Sequence, residues 1–226
     1  MNTSVHEPEP SFPSRRGVNK PLPVKNPKSK DRSAERSSKR QDLVRYGTEL
    51  LTEQGYQATG IDQVLKKVGV PKGSFYHFFK SKDEFGSAVI ENYVDFYAKK
   101  MDKIFNTPST EPLQRLKNFV EKAKYDMVRF EFRRGCLIGN MGQELASIND
   151  GFRVQLEEVL VSWEIKVTAC LQEAIDRLDI SGQTDAAALS RFFWIGWEGA
   201  ILRSKLTKSV QPIDHFADLF FSKVAK

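Results

Sequence analysis

The sequence predicts an all-α fold, with a small three-helix unit near the N-terminus and a larger helical domain after it. Apolar residues recur at helical spacing in successive segments, as Ile61, Val64 and Val68 do. Gly69 and Pro71 then interrupt the pattern in the way that ends one helix and begins the next. The later segments are longer and keep the same spacing. These observations favour helices joined by short turns.

The composition indicates a soluble, cytoplasmic protein of one or two domains. The chain has 226 residues, of which 40% are hydrophobic and 28% charged, so it is long enough to bury a substantial core. No apolar run approaches the roughly 20 residues that a bilayer span needs, and the N-terminus is polar, unlike a signal sequence. The two cysteines, Cys136 and Cys170, argue against a disulfide scaffold and a cysteine-rich zinc site. We therefore expect no metal and no cofactor.

Residues 1–35 are predicted to form a disordered basic N-terminal arm. They contain six of the ten prolines and few large apolar side chains. Residues 1–45 hold eleven Lys and Arg against five acids, an excess of +6 that equals the net charge of the whole chain. Such an arm either follows a nucleic-acid backbone or minor groove, or is a solvated tail with weak, salt-sensitive attraction; we favour the tail. Order is expected to begin near Ser37 or Ser38, either of which would cap the first helix.

Residues 36–82 are predicted to form a helix-turn-helix domain. Thr59 is placed to cap the second helix, whose apolar face was described above. After the turn, a very short helix is expected from Lys72 to about Phe79, with Phe75 and Phe79 four residues apart for the core. Two helices joined by a tight glycine-containing turn, the second rich in hydrogen-bond donors, are typical of DNA-binding units.

The charge of this unit supports DNA binding. Residues 61–82 contain five lysines against one acid, Asp62. Gly73 and Ser74 are small, so the N-terminal end of the short helix can enter a major groove without collision, and its backbone N–H groups suit a phosphate. The alternative is an ordinary helical hairpin with a solvated basic face.

The string GVPKGSFYHFFKSKDEF closely resembles the signature of the TetR family of bacterial one-component regulators. That resemblance implies a homodimer with a three-helix DNA-binding head on a helical ligand-binding body. It implies that Lys72, Gly73 and Ser74 contact bases. The residues that it assigns to phosphate contacts are Thr59, Tyr76, His77 and Lys82.

The resemblance also implies that residues 83–226 form an effector-binding and dimerisation domain. Within it, the string RRGCLIGNMGQE resembles a branch of the family that responds to acrylate and to reactive electrophiles. Cys136 is expected near a helix N-terminus with Arg133 and Arg134 beside it in sequence, and both features stabilise a thiolate. Cys136 is then either a reactive sensor or a small buried hydrophobe, and the buried role is the commoner one.

A non-covalent effector pocket is the broader prediction. Arg133 or Arg134 would suit a small carboxylate, because a guanidinium pairs with a carboxylate in a bidentate fork. The other pocket candidates are aromatic walls and directed polar groups: Tyr93, Phe96, Trp163, Trp194, Trp197, Asn140, Gln143 and Glu198. The alternative is that these aromatic residues are core and that the arginines point to solvent.

A dimer interface is predicted in the segment AAALSRFFWIGWEGAIL, which is apolar nearly all round. In the family resemblance, the last two helices of each subunit form a four-helix interface. The alternative is a buried central helix of a monomer. The interface residues predicted here are Phe193, Gly196, Gly199, Ala200 and Leu202.

These predictions describe a homodimeric transcriptional repressor that binds double-stranded DNA at a palindromic operator and is released by a small molecule, acrylate-like or electrophilic. One alternative is a sequence-tolerant DNA-binding protein without an effector. A cysteine-dependent enzyme is the other, but none of His6, His77 and His215 is obviously placed as a base for Cys136. No phosphate loop or dinucleotide fingerprint is present. We therefore expect neither enzymatic activity nor a membrane partner.

Overall fold

The structure of the chain is a computed structural model that describes residues 27–224, with side chains from residue 34 onward. Residues 38–224 belong to one compact unit, and residues 27–37 belong to another. Within the described residues the fold is helical throughout, which confirms the predicted class. The elements are α1 (Pro27–Gln54), α2 (Ile61–Val68), a 3₁₀ helix (Lys72–His77), α3 (Lys82–Phe105), α4 (Pro112–Arg129), α5 (Leu137–Leu145), α6 (Asp150–Asp176), α7 (Ala186–Thr207) and α8 (Gln211–Val224).

The first helix starts earlier than predicted. It begins at Pro27, so the expected start at Ser37 or Ser38, with a serine cap, is wrong. Proline favours the first helical position, and no further proline or glycine interrupts the helix before Gly47. Of the predicted disordered arm, residues 1–26 lie outside the described residues.

The turn between α1 and α2 also differs from the prediction. The N-cap of α2 is Gly60, and no side chain caps the helix. The Thr59 hydroxyl instead donates to the carbonyl oxygen of Gly55 at 2.7 Å, because Gly55 has a φ of 88° that turns the chain back on itself. Gly69 ends α2 in the left-handed conformation, with a φ of 70°, as the sequence predicts.

The short helix after the turn is a 3₁₀ helix that ends at His77, not an α-helix that reaches Phe79. The carbonyl oxygen of Phe75 accepts the N–H groups of both Phe78 (2.8 Å) and Phe79 (3.1 Å), so the chain tightens and stops there. Phe75 and Phe79 are both buried, with ring centroids 5.5 Å apart. Their predicted core role is confirmed.

The junction between the helix-turn-helix unit and α3 is close-packed. Ser81 caps α3 by accepting the N–H of Glu84 at 3.1 Å, and the Glu84 carboxylate accepts the N–H of Lys80 at 2.7 Å. α1 crosses α3 at Gly47, where a Cβ atom would lie 2.3 Å from the Phe85 ring. We call residues 38–77 the head and α3 to α8 the body. The same apolar core runs through both, and the predicted boundary at residue 82 stays a prediction.

Aromatic rings fill the centre of the body. The Trp163 and Trp194 rings lie 5.2 Å apart, and Phe119 lies 5.2 Å from Trp197. Such ring pairs contribute packing energy beyond the area they bury. Among the described residues, no helix combines the length and the apolar composition that a bilayer span requires.

Candidate nucleic-acid interface and effector cavity

The 3₁₀ helix of the head presents a polar face to solvent. Lys72 and Gly73 are exposed and Ser74 is partly exposed. No atom lies within 4 Å of a Cβ position on Gly73, so a groove wall can approach the backbone there. The Lys72 ammonium pairs with Asp62 at 2.6 Å, but both side chains are largely solvent-exposed. Such a pair contributes little and can give way to DNA.

The side chains predicted to contact phosphates are placed unequally. Tyr76 is 71% exposed and His77 is also exposed, so both face solvent beside the 3₁₀ helix. Thr59 is only 1% exposed, and its hydroxyl is bonded inward to Gly55. In this conformation the Thr59 side chain cannot meet a phosphate, which corrects the expectation for that residue.

Lys82 is bound to the head rather than pointing freely into solvent. Its ammonium donates to the carbonyl oxygen of Tyr56 at 2.8 Å and lies 4.5 Å from the centroid of the Tyr56 ring. Burial lowers the pKa of Lys82, although the nearby carboxylates of Glu144 and Asp83 oppose that shift. The Tyr56 hydroxyl donates to Asp83 at 2.7 Å. A phosphate contact by Lys82 would therefore replace or share the bond to Tyr56.

A cavity of about 590 Å³ lies where α1, α3, α4, α7 and the segment before α5 meet. Five of the predicted pocket residues line it: Tyr93, Phe96, Arg134, Cys136 and Trp197. Its apolar wall is completed by further side chains that the sequence did not single out, which are Tyr97, Ala123, Met127, Phe130 and Ile201. The volume lies in the range of small-molecule sites.

The other predicted pocket residues lie elsewhere. Trp163 is 1% exposed and belongs to the aromatic core. Arg133 is 68% exposed and lies 3.9 Å from Glu131. The Asn140 amide donates to the carbonyl oxygen of Thr52 at 3.3 Å, and Gln143 is exposed. These residues do not line the cavity, and neither do Trp194 and Glu198. On α5, Asn140 faces α1 and Gln143 faces solvent.

The structure corrects the expectation of a Cys136 thiolate. Cys136 does cap α5, and its sulfur accepts the N–H of Gly139 at 3.4 Å. Burial nevertheless raises the pKa of the Cys136 thiol well above its usual range, and the neighbouring Glu198 carboxylate raises it further. Arg134, expected to offset this, binds Glu53 at 2.8 Å and lies 3.7 Å from Glu49. Burial and Glu198 thus favour the neutral form of the Cys136 thiol, which lies on the cavity wall.

Three cavity residues come from the head itself. Thr48, Glu49 and Thr52 lie on α1, the helix that carries the rest of the head. Sequence reasoning missed them because they lie beside the packing face of α1 and form no motif. A molecule that fills the cavity would therefore contact both the head and the body.

The second group that sequence reasoning missed is a set of cations around the cavity. These residues are Lys99, Lys100, Lys103, Lys122 and Arg129. The Lys100 and Lys122 ammonium groups share the single Asp126 carboxylate, at 2.6 and 2.5 Å. Burial opposes ionisation of Asp126, but these two hydrogen bonds outweigh it and lower its pKa. The signal available in the sequence was the lysine spacing in AKKMDK.

The apolar face that α7 leaves uncovered differs from the predicted interface. Phe193 and Ala200 are buried within the chain and offer almost no surface to a partner, whereas Gly196 packs against Phe216 but stays partly exposed. Gly199 and Leu202 are exposed, and their role at an interface stays a prediction. They belong to a stripe at steps of three and four residues that we call the α7 stripe: Phe192, Ile195, Gly199, Leu202 and Leu206.

Comparisons with known proteins agree with this architecture. Residues 43–89 match the family described as bacterial regulatory proteins, tetR family, and residues 112–220 match the tetracyclin repressor-like C-terminal domain. The transcriptional regulator AcuR of Cereibacter sphaeroides is 44% identical over 200 residues, which cover 88% of this chain and 91% of AcuR. The transcriptional repressor DhaR of Mycobacterium sp. is 30% identical over 186 residues, covering 82% of this chain and 92% of DhaR.

Two solved structures extend the comparison. The regulatory protein TetR from Rhodobacter sphaeroides superimposes with a TM-score of 0.79 at 44% identity, covering 82% of this chain and 98% of that one. Reduced NemR from Escherichia coli superimposes with a TM-score of 0.72 at 20% identity, covering 83% of this chain and 98% of NemR, and shows a shared fold. The chain belongs to the TetR family of transcriptional regulators.

Proposed function

We propose that the chain is a cytoplasmic, homodimeric repressor that binds a palindromic operator and leaves it when a small molecule occupies the cavity. The observation that carries this proposal is the place of the cavity, which is lined by Thr48, Glu49 and Thr52 of the head as well as by the body. A ligand that changes the spacing of these walls changes the position of α1. Relatives named as repressors support this direction of control.

The α7 stripe supports the homodimer. Its four large side chains are each more than half exposed, which is unusual for a contiguous apolar surface on a monomer. Phe192 also borders a small depression with Leu219 of α8, so the two last helices share this surface. A two-fold axis through it would place two heads on successive half-sites of a palindrome.

Helix α5 supplies the proposed link between the cavity and the DNA-binding face. Its N-terminal cap, Cys136, lines the cavity, and near its other end lies Glu144. The Glu144 carboxylate accepts the N–H groups of Tyr56 (3.0 Å) and Gln57 (2.7 Å), in the turn that leads into α2. A shift of α5 would therefore pull on the turn that positions the helix-turn-helix unit.

We propose that the effector is an organic molecule, acrylate-like or electrophilic, and that Cys136 contacts it without ionising. The raised pKa of the thiol favours this role over that of a reactive sensor, because the thiolate is the nucleophile. An α,β-unsaturated carboxylate such as acrylate tests both roles, since it can bind reversibly or add to a thiol.

The test begins with DNA selected by the purified protein from a random pool. We expect a palindromic consensus that binds at least about a thousandfold more tightly than scrambled DNA, measured by fluorescence anisotropy. Equal affinity for both would instead support a sequence-tolerant DNA-binding protein. Acrylate should then weaken consensus binding about 5- to 150-fold.

The variant Cys136→Ser separates the two roles of the thiol. We expect release by acrylate to persist in Cys136→Ser, as a reversible ligand requires. Release that disappears with the thiol would contradict this assignment, and recovery with a reductant would then indicate thiol oxidation. Without recovery, a stable adduct is indicated.

A further inference from the structure

The cations of the cavity define a charge that a small monocarboxylate does not match. Five cationic side chains line the cavity on α3 and α4, and only one carboxylate, that of Asp126, is paired with them. The single negative charge of Asp126 offsets one of the two positive charges that Lys100 and Lys122 carry. Within the described part of the chain, Lys99, Lys103 and Arg129 form no ion pair with a carboxylate. The other cation, Arg134, is already paired with Glu53.

The cations and the apolar wall occupy different depths. Lys99, Lys103 and Arg129 are exposed, which places them at the mouth. Trp197 is 2% exposed and lies at the inner end of the cavity. Tyr93 and Tyr97, whose rings stack at 5.4 Å, are partly buried between these two levels. Lys99, Lys103 and Arg129 are thus more exposed than most aromatic side chains of the cavity, the exception being Phe96, which is 65% exposed.

From this arrangement we infer that the cavity binds an amphipathic anion, with an anionic group of at least two negative charges and an apolar tail, more tightly than a small monocarboxylate such as acrylate. The anionic group of this ligand lies between Lys99 and Lys103 at the mouth, and its apolar tail packs on the aromatic wall. The volume of about 590 Å³ also exceeds what a three-carbon acid fills and fits a ligand of drug-like size. This inference rests on the proposed function, because it names the chemical class of ligand for the same cavity.

A matched ligand series tests how many negative charges the ligand needs. Octanol, octanoate, octyl phosphate and octylmalonate share one tail and carry zero, one or two negative charges at neutral pH. Binding is measured with the full chain and no DNA, by calorimetry and by tryptophan fluorescence. We expect both dianions to bind roughly tenfold more tightly than octanoate, and octanol to bind most weakly. A preference for octyl phosphate over octylmalonate would indicate that the anionic group of the ligand is a phosphate ester rather than a dicarboxylate.

The matched variants are Lys99→Gln/Lys103→Gln and, as a control, Lys117→Gln/Lys208→Gln, which removes two exposed lysines that do not line the cavity. We expect the first pair to weaken octyl phosphate binding at least about tenfold and to leave octanol binding unchanged. The control should change neither. Equal affinity of octanol, octanoate and the dianions, or equal losses in both double variants, would overturn the inference.

A final arm keeps this inference separate from the proposed function. Octyl phosphate is added to the protein bound to its selected DNA. Tight, lysine-dependent binding without release of DNA would sustain the charge assignment and contradict the effector role of the cavity. Release by octanol and octanoate as strong as release by octyl phosphate would contradict the charge assignment and sustain the effector role.

Discussion

Replacing Glu144 by glutamine should loosen the head from α5. The carboxylate accepts two backbone N–H groups, from Tyr56 at 3.0 Å and from Gln57 at 2.7 Å. Hydrogen bonds to a charged acceptor contribute about 1.5–3 kcal/mol each when buried, and the bond to Gln57 is exposed, so its share lies at the low end. Glutamine keeps one acceptor oxygen but loses the charge. The expected loss in the free energy of unfolding is therefore about 1–2 kcal/mol.

The same change should reduce communication with the cavity. If α5 transmits effector binding through Glu144, the variant should still bind operator. The fold-decrease in operator affinity that the effector causes should be at least about threefold smaller than in the wild type. Urea unfolding at a fixed protein concentration measures the first effect, and operator anisotropy with and without effector measures the second. Gln143→Ala is the control, because this neighbour on α5 is exposed. A Glu144→Gln protein with wild-type stability and wild-type release of operator would refute the proposed link through α5.

Three further predictions follow from single contacts. Lys82→Ala should weaken binding equally on all DNA sequences and make the slope of log affinity against log salt concentration shallower by about one. A changed sequence preference would contradict the phosphate role of Lys82. Leu202→Asp should convert a dimer to a folded monomer in sedimentation, whereas Ile148→Asp, at another exposed apolar site, should leave the dimer intact. If Leu202→Asp remains dimeric, the α7 stripe is not the interface. Because the pKa of Asp126 is lowered in the folded chain, its ion pairs stabilise above about pH 4 and are lost as pH falls further. The stability of wild type over Asp126→Asn, about 0.5–1 kcal/mol near neutral pH, should therefore shrink in acid, and a constant difference would contradict the pairing.

The sequence was most informative where local rules and packing agree. The αL glycine at Gly69 and the buried pair of Phe75 and Phe79 are specified by nearby residues and match the structure. It failed where a local rule had a competitor. Thr59 has the chemistry of an N-cap, but the turn at Gly55 offers its hydroxyl a buried carbonyl oxygen. Ser37 could cap a helix, but nothing in the preceding residues prevents that helix from starting earlier.

The cavity was only partly predictable for a different reason. Its walls come from helices far apart in sequence, so proximity to a motif is a poor guide to which side chain faces it. Arg133 and Arg134 are neighbours, yet only Arg134 lines the cavity. The same limit applied to α7. Because this helix is apolar on all sides, its sequence does not indicate which face packs against the rest of the chain. Phe193 is buried by the chain itself, and its neighbour Phe192 remains exposed.

The most direct test of the account is the operator affinity of the protein with its cavity empty and with it filled. Anisotropy on the selected palindrome would be measured for the protein alone, with acrylate and with octyl phosphate, while calorimetry reports whether each ligand binds. The account predicts that occupation lowers operator affinity about 5- to 150-fold, and that operator lowers ligand affinity by the same factor. Operator affinity that stays the same while the cavity is occupied would contradict the claim that this cavity controls DNA binding.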